Sequence, residues 1–427
     1  MTTLARGFVG LRGWLVAGIF LLGLVLRLPM LGGEHREGDE VIYTALVGQL
    51  EQGHGYTLQK SPLVERGILD RYQYDRPLFY HPPGGIALFW LSHQLFGDSG
   101  FALVQLGCFA LFFWSMLWLA RGLNITKPDT GLFLVALLSS FNPILAHVTT
   151  KFWLDAPLLA FATLGAALFL HSLSKKSIAL AIAAGIIVGY ASLIKLTAFL
   201  ILPGIFAVCA ASLRPLRWRV FVTHALCCAI PAVMIQVPWE LWQWAVVGSP
   251  FPQWAGKPSQ TLIRSNSYVY YLTVVRSPWV YLTTTASVVT TTLPSIALLL
   301  LAYVRGRRDR SGKGGDASPS RPLVTAGACL VWMVMVIGFH MALAFAGYSV
   351  LLRYLILMTP ASILLPSILV PHLMERRPRQ GLPVSWIGRT TRVFLICVAA
   401  GVLAEVATGI DVAMHVQRAL IVPLTGL

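Results

Sequence analysis

Charge is what this sequence is short of. Only 12% of its 427 residues are Asp, Glu, Lys or Arg, and acids are the scarcer sign, 17 against 33 basic residues. A soluble domain of this length could not hide the 56% of residues that are hydrophobic. Cysteine is sparse as well. The six cysteines (Cys108, Cys209, Cys227, Cys228, Cys329 and Cys397) all fall within apolar runs, so they suggest neither a disulfide framework nor a metal-binding spacing. The first apolar run follows Arg6 and Arg12 but lacks a small-residue cleavage site, so it is expected to be a retained span. Repeat halves of the kind that mark many transporters are also lacking.

What the sequence has in abundance is apolar runs of about 20 residues, each long enough to cross roughly 30 Å of hydrocarbon. They predict an all-α, polytopic transmembrane protein with about eleven spans, ten to twelve in all. The runs lie near 13–32, 100–120, 130–148, 155–173, 177–194, 196–213, 221–239, 281–304, 323–346, 351–371 and 393–410. Segment 84–97 is apolar but too short to span, and reads as an interfacial or re-entrant helix. Residues 1–371 form the expected core. It includes a first outer loop at 33–83, a second large outer loop at 240–280 and a basic cytoplasmic linker at 305–322. Residues 372–427 add a cytoplasmic loop, the last span and a short tail.

The net charge of +16 is a statement about topology rather than about nucleic acid, and no nucleic-acid partner is expected. With the N-terminus inside, 20 of the 33 basic residues fall in inner loops. Only Asp129, Asp309, Asp316 and Glu375 among the acids join them. That is the positive-inside bias. Loop parity then places Asp39, Glu40, His81, Lys151, Asp155, Lys195, Glu240 and Arg353 at one face, the outer one. Any single charge at a span end is usually a solvated anchor. Several from separate parts of the chain, some in turns too short to be ordinary loops, argue for a site.

These stretches resemble the GT-C glycosyltransferases, specifically the protein O-mannosyltransferase family and its bacterial aminoarabinose-transferase cousins. The resemblance rests on "RLPMLGGEHREGDEVIY" at 27–43, "GHGY" at 53–56, "HPPGGIALFWLSHQLFG" at 81–97 and "TTKFWLDAPLLAF" at 149–161. It continues with "ASLIKLTAFLILP" at 191–203, "GSPF" at 248–251 and "LRYLILMTPA" at 352–361. It implies transfer of a sugar, with inversion, from a polyprenyl-phosphate donor in the bilayer. The acceptor would be a lipid, polysaccharide or protein on the non-cytoplasmic face of a bacterial inner (plasma) membrane. A lipid-linked-sugar flippase, a secondary transporter and a non-catalytic membrane subunit are the alternatives from other classes.

Such chemistry needs a carboxylate to take the acceptor's proton and cations against the departing phosphate. By the resemblance Asp39 is the base, Asp155 the second acid, and Glu40 a neighbour in support or simply solvated. The bland readings are helix caps for Asp39 and Asp155. His81, where many relatives have lysine, and the cations Lys195 and Arg353 are the candidates for the donor phosphate. A histidine there would change charge near its unperturbed pKa of about 6.5. An unpaired cation in an apolar run costs roughly 2.5–3.5 kcal/mol, so Lys195 and Arg353 each call for a partner, and the phosphate would be one. Arg27, Tyr354 and Glu240 are supporting candidates. No cofactor is assigned; Asp39 and Asp155 are the pair that would hold a divalent cation if one is used.

The charge distribution makes a direct prediction. A cysteine at Ser311, in the basic linker, should react with an impermeant maleimide only after the cells are opened. A cysteine at Ser61, in the first outer loop, should react in intact cells. Labelling of position 311 from outside would overturn the parity argument.

Overall fold

With no water in the bilayer to satisfy them, the backbone groups of the apolar runs must bond within their own segment, and the runs fold as helices. The computed structural model describes residues 11–28, 39–68, 77–79, 81–123, 125, 128–213, 217–248, 292–311, 320–345, 352–375 and 386–421. Every regular element among them is helical. The 249–280 stretch of the second loop, residues 312–319 of the linker and residues 33–38, 69–76 and 80 of the first loop lie outside the described residues, as do positions 281–291 of one expected span.

In chain order the helices are α1 (Leu11–Val25), α2 (Asp39–Glu51), α3 (Pro62–Glu65), α4 (Gly84–Phe96), α5 (Ser99–Gly122), α6 (Pro128–Phe141), α7 (Pro143–Thr149), α8 (Asp155–Lys175) and α9 (Ile178–Ser192). After a 3₁₀ turn at Leu196–Leu200 come α10 (Ile201–Ser212), α11 (Trp218–Val247), α12 (Thr292–Ser311) and α13 (Arg321–Phe345). A second 3₁₀ turn, Leu352–Met358, leads into α14 (Thr359–Glu375) and α15 (Trp386–Ile421).

Each of the eleven expected spans meets one of these helices, but length and composition qualify fewer. Among the described residues six are long and apolar enough to cross a membrane, and a seventh crossing would be the pair α6 and α7, bent by 47°. Four others are apolar but short: Gly13–Val25, Ile178–Ser192, Leu196–Ser212 and Thr292–Val304. The chain is an integral membrane protein; its spans are simply less regular than the apolar runs suggested. The first run was expected to continue to residue 32, yet α1 stops at Val25. The α6–α7 break has a plain cause. Pro143 cannot donate to the helical ladder, and Asn142 caps α7 by accepting from the Leu145 N–H at 3.2 Å.

α8 and α14 sit mostly inside the bundle, while α11 and α15 present apolar side chains such as Met234 (67% exposed) and Leu403 (69%) outward, as lipid-facing helices do. Packing without a hydrophobic drive between helices relies on close approach. Gly185 and Gly189 on α9 supply it: a Cβ at Gly185 would stand 2.1 Å from the Cys228 carbonyl oxygen of α11. α4, expected to be interfacial, is a 13-residue helix packed on α2 and α5. In the first loop Ser61 is buried and caps α3, so the neighbouring exposed Lys60 is the better labelling position there.

Candidate active site

The turn joining α7 to α8 organises the charged residues at this end of the bundle. Residues 150–154 are non-helical, and each neighbouring side chain is held by a different partner. The Phe152 N–H donates to Glu40 Oε1 at 2.7 Å, and Lys151 Nζ lies 3.8 Å from Glu40 Oε2. Glu40 is therefore buried and engaged, where the sequence left it supporting or solvated. The Trp153 ring lies under the Arg353 guanidinium, 4.1 Å from centroid to carbon, and meets His147 edge-on at 5.0 Å. Gln105 Nε2 holds the Trp153 carbonyl at 2.8 Å.

Asp155 begins α8 yet does not cap it. The cap position is Leu154, which makes no side-chain cap bond, and the Asp155 carboxylate instead accepts from Lys195 Nζ at 2.8 Å. Both side chains are buried, at 2% and 10% exposure. Its second oxygen, Oδ2, is buried with no hydrogen-bond partner among the described residues, and so is the Trp153 indole nitrogen. Asp39, first residue of α2, directs its carboxylate to Arg353 on the second 3₁₀ turn. The cations expected to wait for a phosphate thus already have carboxylate partners. Three acids and three bases form three pairs, Asp39–Arg353, Glu40–Lys151 and Asp155–Lys195. All three acids lie in the first turns of α2 and α8, where the helix dipole favours negative charge.

His81 stands between two of these pairs, within electrostatic reach of Lys195, Asp155 and Arg353. Its seat is built by glycine. The Gly84 N–H donates to the Leu193 carbonyl at 2.7 Å, and a Cβ on Gly85 would fall 2.5 Å from Leu154 Cδ2. The "HPPGG" stretch can therefore press the start of α4 against the residues that flank both Lys195 and Asp155. Tyr56, from "GHGY", fixes the other side. Its hydroxyl donates to the carbonyls of His81 and Pro82, at 3.0 and 3.1 Å. The half-buried imidazole does not titrate near neutrality. Desolvation lowers its pKa to about 3, with Lys195 and Arg353 lowering it further and Asp155 opposing them.

Arg27 lies apart from this group and has a structural task. Its guanidinium donates to Thr149 Oγ1 (2.6 Å), the Gly23 carbonyl (2.6 Å) and the Ser140 carbonyl (3.1 Å), over the Phe109 ring. It ties α1 to both sides of the α6–α7 break. Glu240 sits on α11 and accepts from Gln236. The Tyr354 side chain is outside the described ones. Asp39 and Asp155 each spend an oxygen on a cation, and no group of three His, Cys, Asp or Glu residues that could hold a metal exists among the described residues. Trp153, His147, Gln105 and Tyr56 were not singled out by sequence. Trp153 and Tyr56 lie inside the quoted motifs, beside charged positions that carry the stronger signal.

A family model for dolichyl-phosphate-mannose-protein mannosyltransferases matches residues 80–242, a stretch that holds His81, Asp155, Lys195 and Glu240. No curated protein matches the chain. Among solved structures, the archaeal oligosaccharyltransferase AglB from Archaeoglobus fulgidus, in complex with an inhibitory peptide and a dolichol-phosphate, is similar at 13% identity. Its TM-score is 0.51, over 93% of this chain and 56% of that one. The Archaeoglobus fulgidus oligosaccharyltransferase in complex with Zn and sulfate aligns at 14% identity, TM-score 0.47, over 92% and 53%. The chain spans about half the length of these structures. At this identity the likeness to the AglB structure is one of fold alone.

Two outcomes follow from the pairing. Removing one member of a buried pair leaves an uncompensated charge, at a cost of about 3–5 kcal/mol. Lys195→Met should show that loss in unfolding of the detergent-solubilised protein, and adding Asp155→Leu should restore most of it. Equal stability of the single and double variants would mean the pair is not buried as described. For His81 the native pKa lies below the unfolded value near 6.5, so the unfolded chain binds the extra proton. The stability tied to its neutral form is complete above about pH 6.5 and is lost as pH falls toward 3. His81→Gln should therefore shrink the fall in melting temperature between pH 7 and pH 5.

Proposed function

We propose that this protein is a membrane glycosyltransferase that moves a sugar from a polyprenyl-phosphate donor to an acceptor hydroxyl. The site would face the non-cytoplasmic side of a bacterial plasma membrane. The observation that carries the reading is the convergence of Asp39–Arg353 and Asp155–Lys195, from four separate parts of the chain, at one end of the bundle.

The chemistry assigns each group a task. The acceptor oxygen attacks the anomeric carbon, and its proton passes to Asp39. The bond between that carbon and the phosphate oxygen breaks, and the phosphate leaves with the electron pair and its growing charge. Arg353 and Lys195 receive that charge, Arg353 through a planar fork suited to phosphate oxygens. A single displacement of this kind inverts the anomeric centre. Arg353 is held by both a carboxylate and the Trp153 face, so it can be shared with an incoming phosphate without being left unpaired. Asp155 keeps Lys195 aimed, and its free Oδ2 can accept from a substrate hydroxyl. His81, neutral and donor-capable, adds a hydrogen bond in place of a second positive charge. Lipid, polysaccharide and protein acceptors all offer the hydroxyl the scheme requires.

Asp39→Asn retains size and hydrogen bonding but removes the base. Transfer from a synthetic polyprenyl-phosphate sugar should fall about 10²-fold or more, the scale of general-base removal, with carrier binding largely kept. Activity within a few-fold of wild type would exclude Asp39 from that role.

A further inference from the structure

Beside the reacting centre, α11 carries a carboxylate that the transfer step does not use. Glu240 Oε1 accepts from Gln236 Nε2, while Oε2 is buried with no hydrogen-bond partner among the described residues. Its partner Gln236 is oriented in turn. The Ser192 hydroxyl lies 2.9 Å from Gln236 Oε1, which leaves the Gln236 amide nitrogen to face the carboxylate. Ser192 and Gln236 are both buried, so this three-residue chain is fixed from the C-terminal end of α9 outward to Glu240. A carboxylate oxygen held this way can only accept, and leaving it unmet in the interior costs free energy.

Two separate contacts place Glu240 next to the site. Ser192 precedes by three residues the Lys195 that pairs with Asp155, and between them the Leu193 carbonyl receives the Gly84 N–H beside His81. Trp239, adjacent to Glu240, packs edge-on against Tyr56 at 5.7 Å, and Tyr56 holds the His81 carbonyl. The acceptor thus lies one helical position from the Trp239 side chain that meets Tyr56, on the stretch of α11 tied through Gln236 and Ser192 to the segment before Lys195.

The chemistry selects among the parts of a lipid-linked sugar. The polyprenyl tail has no donor to offer, and the phosphate is an anion that a carboxylate repels. Only the glycosyl group brings hydroxyl or amino donors on a ring whose apolar face suits Trp and Tyr. We infer that Glu240, set by Gln236 and Ser192 and flanked by Trp239 and Tyr56, forms the subsite that recognises the donor's sugar ring through a hydroxyl or amino group. This rests on the transferase reading above and adds to it the part of the donor that α11 reads.

The test separates sugar recognition from carrier binding. Full-length protein in lipid nanodiscs is titrated with bare polyprenyl phosphate. The same carrier is then tested bearing a hexose, an N-acetylhexosamine, a pentose or an aminopentose. Wild type should hold at least one glycosylated carrier more tightly than the bare one. Glu240→Gln, nearly isosteric, should lower that preference about tenfold or more, as loss of a charge-assisted hydrogen bond does, and leave bare-carrier affinity unchanged. Gln236→Ala should lower the preference in the same direction. The inference is overturned if wild type shows no preference for any of the four, if Glu240→Gln keeps the preference, or if it weakens bare and glycosylated carriers alike. Failure of wild type to bind even the bare carrier would instead sink the transferase reading, and the subsite with it.

Discussion

Buried charge tolerates no idle partner. An isolated ion in the low-dielectric interior costs several kcal/mol, and only close pairing with satisfied hydrogen bonds repays it. This constraint governs the end of the bundle where the site lies. Glu40, Asp155, Lys151, Lys195 and Arg353 are all buried, and each has an oppositely charged group within reach. The residues from Thr149 to Asp155 meet the demand from a single short segment. They give Glu40 a backbone donor, offer Arg353 an aromatic face, hold Lys195 and anchor Arg27. α7 ends at Thr149, so residues 150–154 leave the helical ladder in the middle of the charges.

Much of this was legible in the sequence for a physical reason. Charge is so scarce that its loop parity alone gathers Asp39, Asp155, Lys195 and Arg353 on one face. Which acid meets which base was not legible, because pairing across the chain depends on helix tilt and on the 3₁₀ turns, and neither leaves a periodic signal. Lys195 and Arg353, cations in apolar runs, each called for a partner, and a phosphate is one such partner; the acids that meet them stand 40 and 314 positions away. Asp155 resembled a cap because proline follows two residues later. Glu40 was the reverse case: adjacent to Asp39, it suggested solvent exposure, whereas the Phe152 N–H lies in its path. The apolar runs located the helices well and overstated their regularity, since hydropathy does not register a bend at Asn142–Pro143 or a helix that ends at Val25.

Pairing also bears on the proposed use of an anionic donor. Two cations already matched by carboxylates are held in place before any such donor would arrive. Preorganised charge of this kind acts without reorganisation at the moment of reaction. The neutral His81 fits the same scheme, since a third cation beside Lys195 and Arg353 would raise the cost of the empty state.

The Arg353–Asp39 contact joins residues 314 positions apart, whereas Lys195 and Asp155 are separated by 40. At synthesis rates of about 5–20 residues per second, Asp39 waits on the order of 16–60 s for its partner to be made, and Asp155 only about 2–8 s. The two halves of the charged cluster are therefore assembled at different times. The nascent chain must keep its first carboxylate wet, at the membrane edge, while most of the bundle inserts around it. Completion of the ion pair awaits residue 353, so a chain stalled or cut before it has all three paired acids in place and lacks the cation that holds Asp39.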